Sequence, residues 1–554
     1  MAGLTVWAVL VPEALAYGTI AGVSPVVGLY AAPGALLLYA AFGSSKHLIV
    51  GPMAATAALS AAAVAEVATG GTSAFATATA TLAITTGILA VVFGLLRLGF
   101  LANFISEPVL KGFIVGLALT IIVGQLPKLF GVEKGSGDFF EQLWHLLTEL
   151  GHTQGLTLLV GLGSLALVLV LRRVAPVVPA PLVAVLLGIL AVQAFSLQAH
   201  GVKIVGHIDS GLPSLGLPHV PAVDYLKLAG PAVGVMLVGF AEGLGAAKTY
   251  AARSGYAISP DRELLGLGAA NIAAGLSSGM VVNGSLSKTA VNGAAGARSQ
   301  VSGLVVAGLT ILTLLFLTGL FEDLPEATLA AVVIAALIEL VDIDSLRALY
   351  RTYTARLGRI YGPAARPDFL AAIAALLGVL VFDTLPGLFI GITVSLLLLV
   401  YRVYRPHVAV LGQVPGGRDQ WADLAVHPED QTIPGVVVLR PEAGLFFANA
   451  EHVQASIRDA AAGDGVHAVV LDCETIPFVD VTAARMLGET TAELQRAGVR
   501  LVIARDIGQV RDVLAVAEGP SGPGEYFRSL QHAVDSARAH PGPEQQTSNP
   551  GHQD

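Results

Sequence analysis

The sequence predicts an α-helical membrane protein with many spans, followed by a smaller soluble α/β domain. Of the 554 residues, 54% are hydrophobic and only 13% are charged, whereas an ordinary soluble domain has about 25% charged residues. Mean hydropathy is +0.72. The charge deficit is also uneven, because long apolar runs dominate up to about residue 404 and charges return from about residue 406.

Composition also excludes several classes of protein. Disorder, collagen and nucleic-acid binding are excluded because few charges remain to keep the chain solvated or to contact phosphates. The single cysteine, Cys473, excludes an intrachain disulfide and a multi-thiolate metal site. The apolar N-terminus lacks a basic leader region and carries Pro12 and Glu13 in its middle. We therefore expect a first span there rather than a cleaved signal peptide.

Fourteen apolar segments are candidates for spans, each of which needs about 20 apolar residues. The first set of seven begins near Leu4, Val26, Met53, Thr79, Val109, Leu156 and Pro179, and the second near Ala229, Leu265, Ser285, Val301, Ala327, Phe369 and Leu388.

The basic residues predict the topology. If alternate loops share a side, most Lys and Arg residues fall on one side, including the arginines between residues 347 and 366. Lys128, Lys134, Lys203 and Lys227 fall on the other side. This asymmetry follows the positive-inside rule. It predicts a multi-pass protein of the plasma membrane whose soluble domain is cytoplasmic.

The two sets of seven segments correspond in position. Glu13 lies in the first segment of one set and Glu242 in the first segment of the other, while the third segments open at residues 51–52 and at Gly284. Both third segments are short and follow helix-breaking residues. Paired, interrupted spans of this kind are the best sequence indication of a transporter's binding site. The alternative is coincidence in a chain with 63 glycines.

After Arg405 the pattern changes to strands alternating with helices, which is typical of a small α/β domain with a mixed sheet. Predicted strands are Gly435–Arg440, Gly444–Ala448, His467–Leu471 and Arg500–Ala504, and predicted helices are Glu451–Ala461, Val481–Ala497 and Ile507–Ala517. We assign residues 406–432 to a linker and 433–539 to this domain. Residues 540–554, rich in Pro, Gly, Gln and Ser, are predicted to be a disordered tail.

Several motifs resemble the sulfate permease (SulP) family of anion transporters. Residues 11–30 resemble the family's first span, and residues 96–109 its junction between the fourth and fifth spans. Residues 263–271 and 284–292 are similar to its eighth-to-ninth loop and to the start of its tenth span. Residues 445–450 resemble the STAS domain that is fused to most members.

The resemblance implies that residues 1–405 form a fourteen-span, seven-plus-seven inverted repeat. A core domain of spans 1–4 and 8–11 would move against a gate domain of spans 5–7 and 12–14, in an elevator-type mechanism. The implied substrate is a small inorganic or carboxylate anion, sulfate first, carried by a homodimer in the lipid bilayer. Bicarbonate or C4-dicarboxylate transport and anion exchange remain open, as does a membrane-anchored STAS signalling protein. No enzymatic activity, cofactor, metal or nucleic-acid partner is expected.

The candidate anion site lies where two half-helices would meet head to head and offer free N–H groups and positive dipole ends. The residues placed for this role are Met53, Ala54, Ala55, Gly284, Ser285, Leu286 and Ser287. The two serines could contact the ligand or merely cap a helix. At Lys288 the family usually has arginine, and a lysine is a compact charge without a planar fork. Its alternative role is to snorkel to an interface.

Glu13 and Glu242 are the candidates for proton coupling. A charged group at mid-bilayer costs ~2.5–3.5 kcal/mol even on the cheaper scales, and burial lets a carboxyl take up a proton near neutrality. The alternative is that one carboxylate pairs with Lys288 for packing specificity only. Sodium is the less favoured ion, because Ala246 stands where the sodium-linked branch has a hydroxyl residue. Tyr17, one turn beyond Glu13, is a candidate for lining the pocket.

Three further residues complete the sequence assignments. Asn271 and Asn292 could contact the site, but we expect hydrogen bonds between helices. Val481 stands where bacterial anti-sigma antagonists carry a phosphorylatable serine. Regulation, folding or support of a dimer is therefore the expected role of the STAS domain, rather than a phospho-switch.

Overall fold

The computed structural model describes residues 1–65, 67–68, 71–100, 105–135, 137–175, 178–208, 210–338, 340–351, 366–382, 384–417, 419–518 and 526–539. These residues form two compact units. The first contains residues 1–351 and 366–395, and the second contains residues 396–539. The predicted disordered tail, residues 540–554, lies outside the described residues.

The first half of the apolar region is helical. Its helices are α1 (Ala2–Ile20), α2 (Pro25–Phe42), α3 (Ala54–Ala65), α4 (Gly71–Leu95), α5 (Glu107–Phe130), α6 (Phe139–Glu149), α7 (Gly155–Val174) and α8 (Ala180–Phe195). The second half contains α9 (Ala222–Ser254), α10 (Pro260–Leu276), α11 (Leu286–Ala294), α12 (Val301–Phe316), α13 (Glu326–Ile338), α14 (Ile343–Arg351), α15 (Pro367–Phe382) and α16 (Thr384–Tyr404).

Each of the fourteen predicted apolar segments overlaps one of these helices. Within the described part of the chain, seven helices are long and apolar enough by themselves to cross a membrane. The count of fourteen spans therefore stays a prediction. The sequence analysis does not predict α6 and α14. Both helices are short and amphipathic, and each follows the fifth apolar helix of its half.

Small residues let the helices of the first unit approach closely. A Cβ atom added to Gly87 of α4 would lie 2.7 Å from the Gly268 carbonyl oxygen of α10. A Cβ atom added to Gly112 of α5 would overlap the carbonyl of Ala372 on α15. Glycine-lined contacts of this kind are how helices pack in membranes, where lipid gives no hydrophobic drive for association.

The contacts between helices divide the first unit into two groups of helices. In one, α2 packs against α1, α10 and α12, and α4 packs against α9 and α10. In the other, α5 packs against α13 and α15, and α7 packs against α8 and α13. Helix α1 contacts both groups, through α2 and α12 on one side and α8 and α13 on the other.

After the two short strands of the first unit, β1 (Ile49–Gly51) and β2 (Asn283–Ser285), the second unit contains a six-stranded mixed sheet. Its strands are β3 (Val408–Gln413), β4 (Trp421–Asp423), β5 (Val436–Pro441), β6 (Ala468–Asp472), β7 (Arg500–Ala504) and β8 (Tyr526–Phe527), in the order β4-β3-β5-β6-β7-β8. Strands β5 to β8 are parallel, and β3 pairs antiparallel with β4 and β5. Its helices are α17 (Ala450–Ala461), α18 (Val481–Arg496), α19 (Gly508–Glu518) and α20 (Leu530–Ala539). Side chains of α17, α18 and α19 share one buried cluster, and those of α20 belong to another.

Two sequence assignments in this unit are wrong. Residues 406–432 are not simply a linker, because they contain β3 and β4, which pair with each other, and β3 also pairs with β5. Residues 444–448 are not a strand and contribute only the isolated bridge between Leu445 and Val479. There, the Asn449 side chain accepts a hydrogen bond from the backbone N–H of Phe446 and turns the chain toward α17.

Candidate functional site

The two predicted chain breaks lie side by side. Strand β1 (Ile49–Gly51) precedes α3, strand β2 (Asn283–Ser285) runs directly into α11, and the two strands pair antiparallel. The register aligns Ile49 with Ser285, and Gly51 with Asn283. Because the strands run in opposite directions, α3 and α11 begin at opposite ends of one short ladder. Both strands are fully buried.

The predicted serines have different surroundings. Ser285 is buried and caps α11, because its hydroxyl accepts a hydrogen bond from the Lys288 backbone N–H at 3.2 Å. This geometry is the capping role that the sequence left open. Ser287 is exposed, its hydroxyl lies 3.2 Å from that of Ser285, and the neighbouring Leu286 is also exposed. The start of α11 therefore has one open side.

The corresponding residues of α3 are more enclosed. Ala54 and Ala55 are each 5% exposed, and Met53 is half-buried. The Met53 carbonyl accepts the hydrogen bond from the Ala57 N–H that closes the first turn. Small side chains thus leave the backbone at the start of α3 close to the strand pair.

Lys288 joins the two halves of the chain. Its Nζ lies 2.7 Å from Glu13 Oε2 on α1, and both side chains are almost completely buried. The same Nζ donates to the Pro52 carbonyl, which precedes α3, at 3.2 Å. It also lies 5.1 Å from the centre of the Tyr17 ring, within range of a cation–π contact. Lys288 therefore does not snorkel to an interface.

Glu242 has a different, uncharged partner. It is half-buried on α9, and its Oε2 accepts a hydrogen bond from Asn283 Nδ2 at 3.1 Å. Asn283 Oδ1 in turn accepts a hydrogen bond from the Gly284 N–H. Glu13 and Glu242 are thus both linked to the chain breaks, Glu13 through Lys288 on α11 and Glu242 through Asn283 on β2.

Several polar residues that the sequence reading missed hold the chain breaks in place. Thr289 accepts a hydrogen bond from the Ile49 N–H at 3.1 Å. Gln300 donates from Nε2 to the carbonyl oxygens of Ser45 and Leu48 at 2.8 and 2.9 Å. Residues of the second half thereby position the segment that enters β1.

The two predicted asparagines act on the same segments. Asn292 donates to the carbonyl of His47 at 2.9 Å. Asn271 exchanges two hydrogen bonds with the backbone of Val282, just before β2, and bonds Leu267 in its own helix. Their contacts are with the backbone that forms the breaks, so they shape the site rather than line it.

Glu263 is a further buried carboxylate that the sequence reading did not assign. It is fully buried and accepts hydrogen bonds from Tyr39 Oη, from the Ser44 hydroxyl and from the N–H groups of Ser44 and Ser45. A carboxylate satisfied in this way is stable in an apolar setting. It anchors the turn between α2 and β1.

The α/β unit has its own buried charge. Asp472 is fully buried and bonds Arg440 at 2.6 Å and Arg505 at 2.9 Å. Val481 is 62% exposed at the start of α18, which Asp480 caps. Among the described residues, no group of three or more His, Cys, Asp or Glu side chains could hold a metal ion.

Sequence comparison identifies relatives along almost the whole chain. The model of the sulfate permease family matches residues 1–357, and that of the STAS domain matches residues 427–519. A probable sulfate transporter of Mycobacterium tuberculosis is 37% identical over 543 residues, covering 97% of this chain and 94% of that protein. Probable sulfate transporter 4.2 of Arabidopsis thaliana is 30% identical, with 93% and 77% covered.

Solved structures share the fold. The murine solute carrier 26 member A9 anion transporter matches with a TM-score of 0.85 at 23% identity, covering 97% of this chain and 90% of that one. The transmembrane domain of the cyanobacterial bicarbonate transporter BicA matches with a TM-score of 0.61 at 22% identity, covering 70% and 95%. Together with the family matches, these likenesses confirm the predicted fold class and the family resemblance. The chain belongs to the sulfate permease family, a family of membrane anion transporters and not of enzymes, and it carries a C-terminal STAS domain.

Proposed function

We propose that this protein is a secondary active transporter of a small oxyanion, sulfate first, which binds between the starts of α3 and α11. The observation that carries the proposal is the antiparallel pairing of β1 with β2, which brings the two helix starts to one ladder. Each helix N-terminus has free N–H groups and the equivalent of about half a positive charge. Two of them beside one buried ladder can replace part of an anion's hydration shell.

The open side of α11 supports anion access. Leu286 is 54% exposed and Ser287 is also exposed, whereas the strand residues beneath them are buried. An anion that approaches this side reaches backbone N–H groups and the Ser287 hydroxyl without crossing the ladder. A site of backbone dipoles selects by shape and charge, so bicarbonate and C4-dicarboxylates are the competing substrates.

Proton symport is the proposed source of energy. A dianion that enters a cell with an interior potential of −100 mV faces about 4.6 kcal/mol, which is ~2.3 kcal/mol per charge. Two protons carried on Glu13 and Glu242 would cancel that charge. A proton on Glu13 would also remove the partner of Lys288, 2.7 Å away, and leave the ammonium available to the anion. Anion and proton would then favour each other's binding.

The remaining parts of the proposal concern movement and assembly. The helices predicted to form the core, α1–α4 and α9–α12, would carry the site past the other helices in an elevator-type motion. The asymmetry of basic residues supports a cytoplasmic STAS domain and a plasma-membrane location. The family resemblance supports a homodimer, and light scattering of the purified protein in detergent would test that state.

The primary test is uptake of labelled sulfate into proteoliposomes with an imposed proton gradient. We expect accumulation that competes with an excess of unlabelled sulfate and that a sodium gradient does not replace. Glu13→Gln and Glu242→Gln should abolish gradient-driven accumulation and retain sulfate–sulfate exchange. Unchanged accumulation would remove that glutamate from the coupling role.

Two other outcomes lead to the alternatives. Stronger competition by bicarbonate or a C4-dicarboxylate than by sulfate would reassign the substrate. No uptake of any of these anions under any gradient would overturn transport. A STAS domain that binds a nucleotide or protein in a chain without flux would then favour the signalling role.

A further inference from the structure

A small cavity lies beside the second chain break. Residues of α4, α9 and α10 line it together with the segment that leads into β2, and it leaves about 10 Å³ for the centre of a water molecule. That space is close to the minimum for one buried water molecule. Its polar lining residues are Thr86, Asn271 and Asn283.

Thr86 has an unsatisfied hydroxyl. It is 2% exposed, and its Oγ1 has no hydrogen-bond partner among the described residues. Four other threonines of α4 donate to the carbonyl oxygen four residues earlier, namely Thr77, Thr79, Thr81 and Thr85. A buried hydroxyl without a hydrogen-bond partner destabilises the folded state. A water molecule in the cavity would satisfy it.

Asn283 provides the second partner for such a water. A side-chain amide has two N–H donors, and Asn283 Nδ2 gives one of them to Glu242 Oε2. The helix opposite leaves room for this side chain, since a Cβ atom added to Gly239 or Gly243 would lie 3.3 or 3.1 Å from Asn283 side-chain atoms. Asn283 thus packs against the glycine face of α9 and lines the cavity, and one of its two donors has no partner among the described residues.

We propose that one water molecule binds between Thr86 and Asn283, and that it fixes the amide that connects Glu242 to the second chain break. Asn283 is then a positioning residue. It donates to Glu242 and accepts from the Gly284 N–H. One side chain therefore connects the protonation state of Glu242 to the backbone that leads into α11. This inference rests on the proposed function, because it deepens the coupling role of Glu242.

The test compares two neighbouring threonines in proteoliposomes. Thr86→Val removes the hydroxyl that would bind the water, whereas Thr85→Val removes one that bonds its own helix at 2.8 Å. We expect Thr86→Val to lower proton-driven sulfate accumulation by about 2- to 10-fold, the effect of one net hydrogen bond, and to leave sulfate–sulfate exchange unchanged. Thr85→Val should change neither rate. Equal effects of the two variants would overturn the proposal, as would an equal fall of accumulation and exchange in Thr86→Val.

A structural measurement tests the water independently of transport. High-resolution cryo-electron microscopy of the full chain should show density within hydrogen-bond distance of Thr86 Oγ1 and the Asn283 amide, and Thr86→Val should lose it. A dry cavity, or density that requires sodium, would overturn the proposal. If wild-type protein does not accumulate sulfate in a proton gradient, proton coupling fails, and this density alone decides whether the water site exists.

Discussion

Removing one charge of the Glu13–Lys288 pair should destabilise the protein far more than removing both. The two groups are 2.7 Å apart, with 5% and 1% of their side chains exposed. Glu13→Gln leaves a buried ammonium that keeps only the Pro52 carbonyl at 3.2 Å and the Tyr17 ring at 5.1 Å among the contacts described above. Neither contact cancels a charge.

The expected magnitudes follow from this geometry. Breaking a buried ion pair from one side costs about 3–5 kcal/mol, because the other charge remains uncompensated. Replacing both partners by uncharged residues of similar volume is often neutral. We therefore expect Glu13→Gln and Lys288→Met each to lose about 3–5 kcal/mol of unfolding free energy, and the double variant to recover most of that loss.

The assay is reversible unfolding of the purified protein in mixed micelles, analysed as a double-mutant cycle. Lys227→Met is the matched control, since Lys227 pairs with Asp224 at 3.0 Å with 55% of its side chain exposed. An exposed pair of that kind is worth about 0–1 kcal/mol. A double variant as unstable as the sum of the two single variants would refute the pairing argument.

Three further outcomes are expected. Ser285→Ala should lose about 1 kcal/mol of stability in thermal denaturation because it removes an N-cap hydrogen bond. Ser287 is exposed, so Ser287→Ala should change the stability by less than about 0.5 kcal/mol. Equal losses of stability would contradict the capping role of Ser285. Burial raises the pKa of the Cys473 thiol, so iodoacetamide at pH 8 should modify only the unfolded protein, since the thiolate is the nucleophile. Partial desolvation and the charge of Lys128 lower the pKa of Lys134. Removing that charge with Lys128→Gln should therefore raise the Lys134 pKa and slow the modification of Lys134 by trinitrobenzenesulfonate at pH 8. An unchanged rate of modification would contradict this effect of Lys128.

The helices of the first unit could be predicted because lipid imposes a simple rule. A chain in hydrocarbon must satisfy its backbone within each segment, so long apolar runs such as residues 107–130 are helices. Helices α6 and α14 escaped detection because they are short and only one face is apolar. Their pattern is that of an interfacial helix rather than a span.

Local sequence patterns predict the central strands of the α/β unit but not its edge strand. Strands β5, β6 and β7 are short apolar runs in a parallel arrangement, and their positions were predicted to within one residue at each end. Strand β4 is three residues long and, within the part of the chain that the structure describes, pairs only with β3. Edge strands of this length have too few residues for an alternating pattern to be visible.

The candidate site, too, contains residues that the sequence predicts and residues that it does not. A charged residue inside an apolar run stands out in a sequence, so the sequence predicts roles for Glu13, Glu242 and Lys288. The pairing of a carboxylate with Lys288 is one of the two roles that it allows. Asn283 and Gln300 were not identified, because their partners are backbone and side-chain atoms on other segments. Their roles exist only once β1 and β2 pair. The local signal for Asn283 was a polar residue directly before a Gly-Ser helix start.

The charges around the strand pair have a consequence for the proposed substrate. Two helix N-termini contribute about +1 in total, the Glu13–Lys288 pair contributes nothing while both groups are ionised, and Glu242 contributes nothing once it carries its proton. The site then matches a monovalent anion and leaves a dianion with about one uncompensated negative charge. A proton on Glu13 frees the charge of Lys288, raises the total to about +2 and matches a dianion. On the proposed mechanism, the charge state of Glu13 therefore decides whether sulfate or a monovalent anion such as bicarbonate is bound. The charge of the site can change in this way because Lys288 is already paired with a carboxylate that can take up a proton.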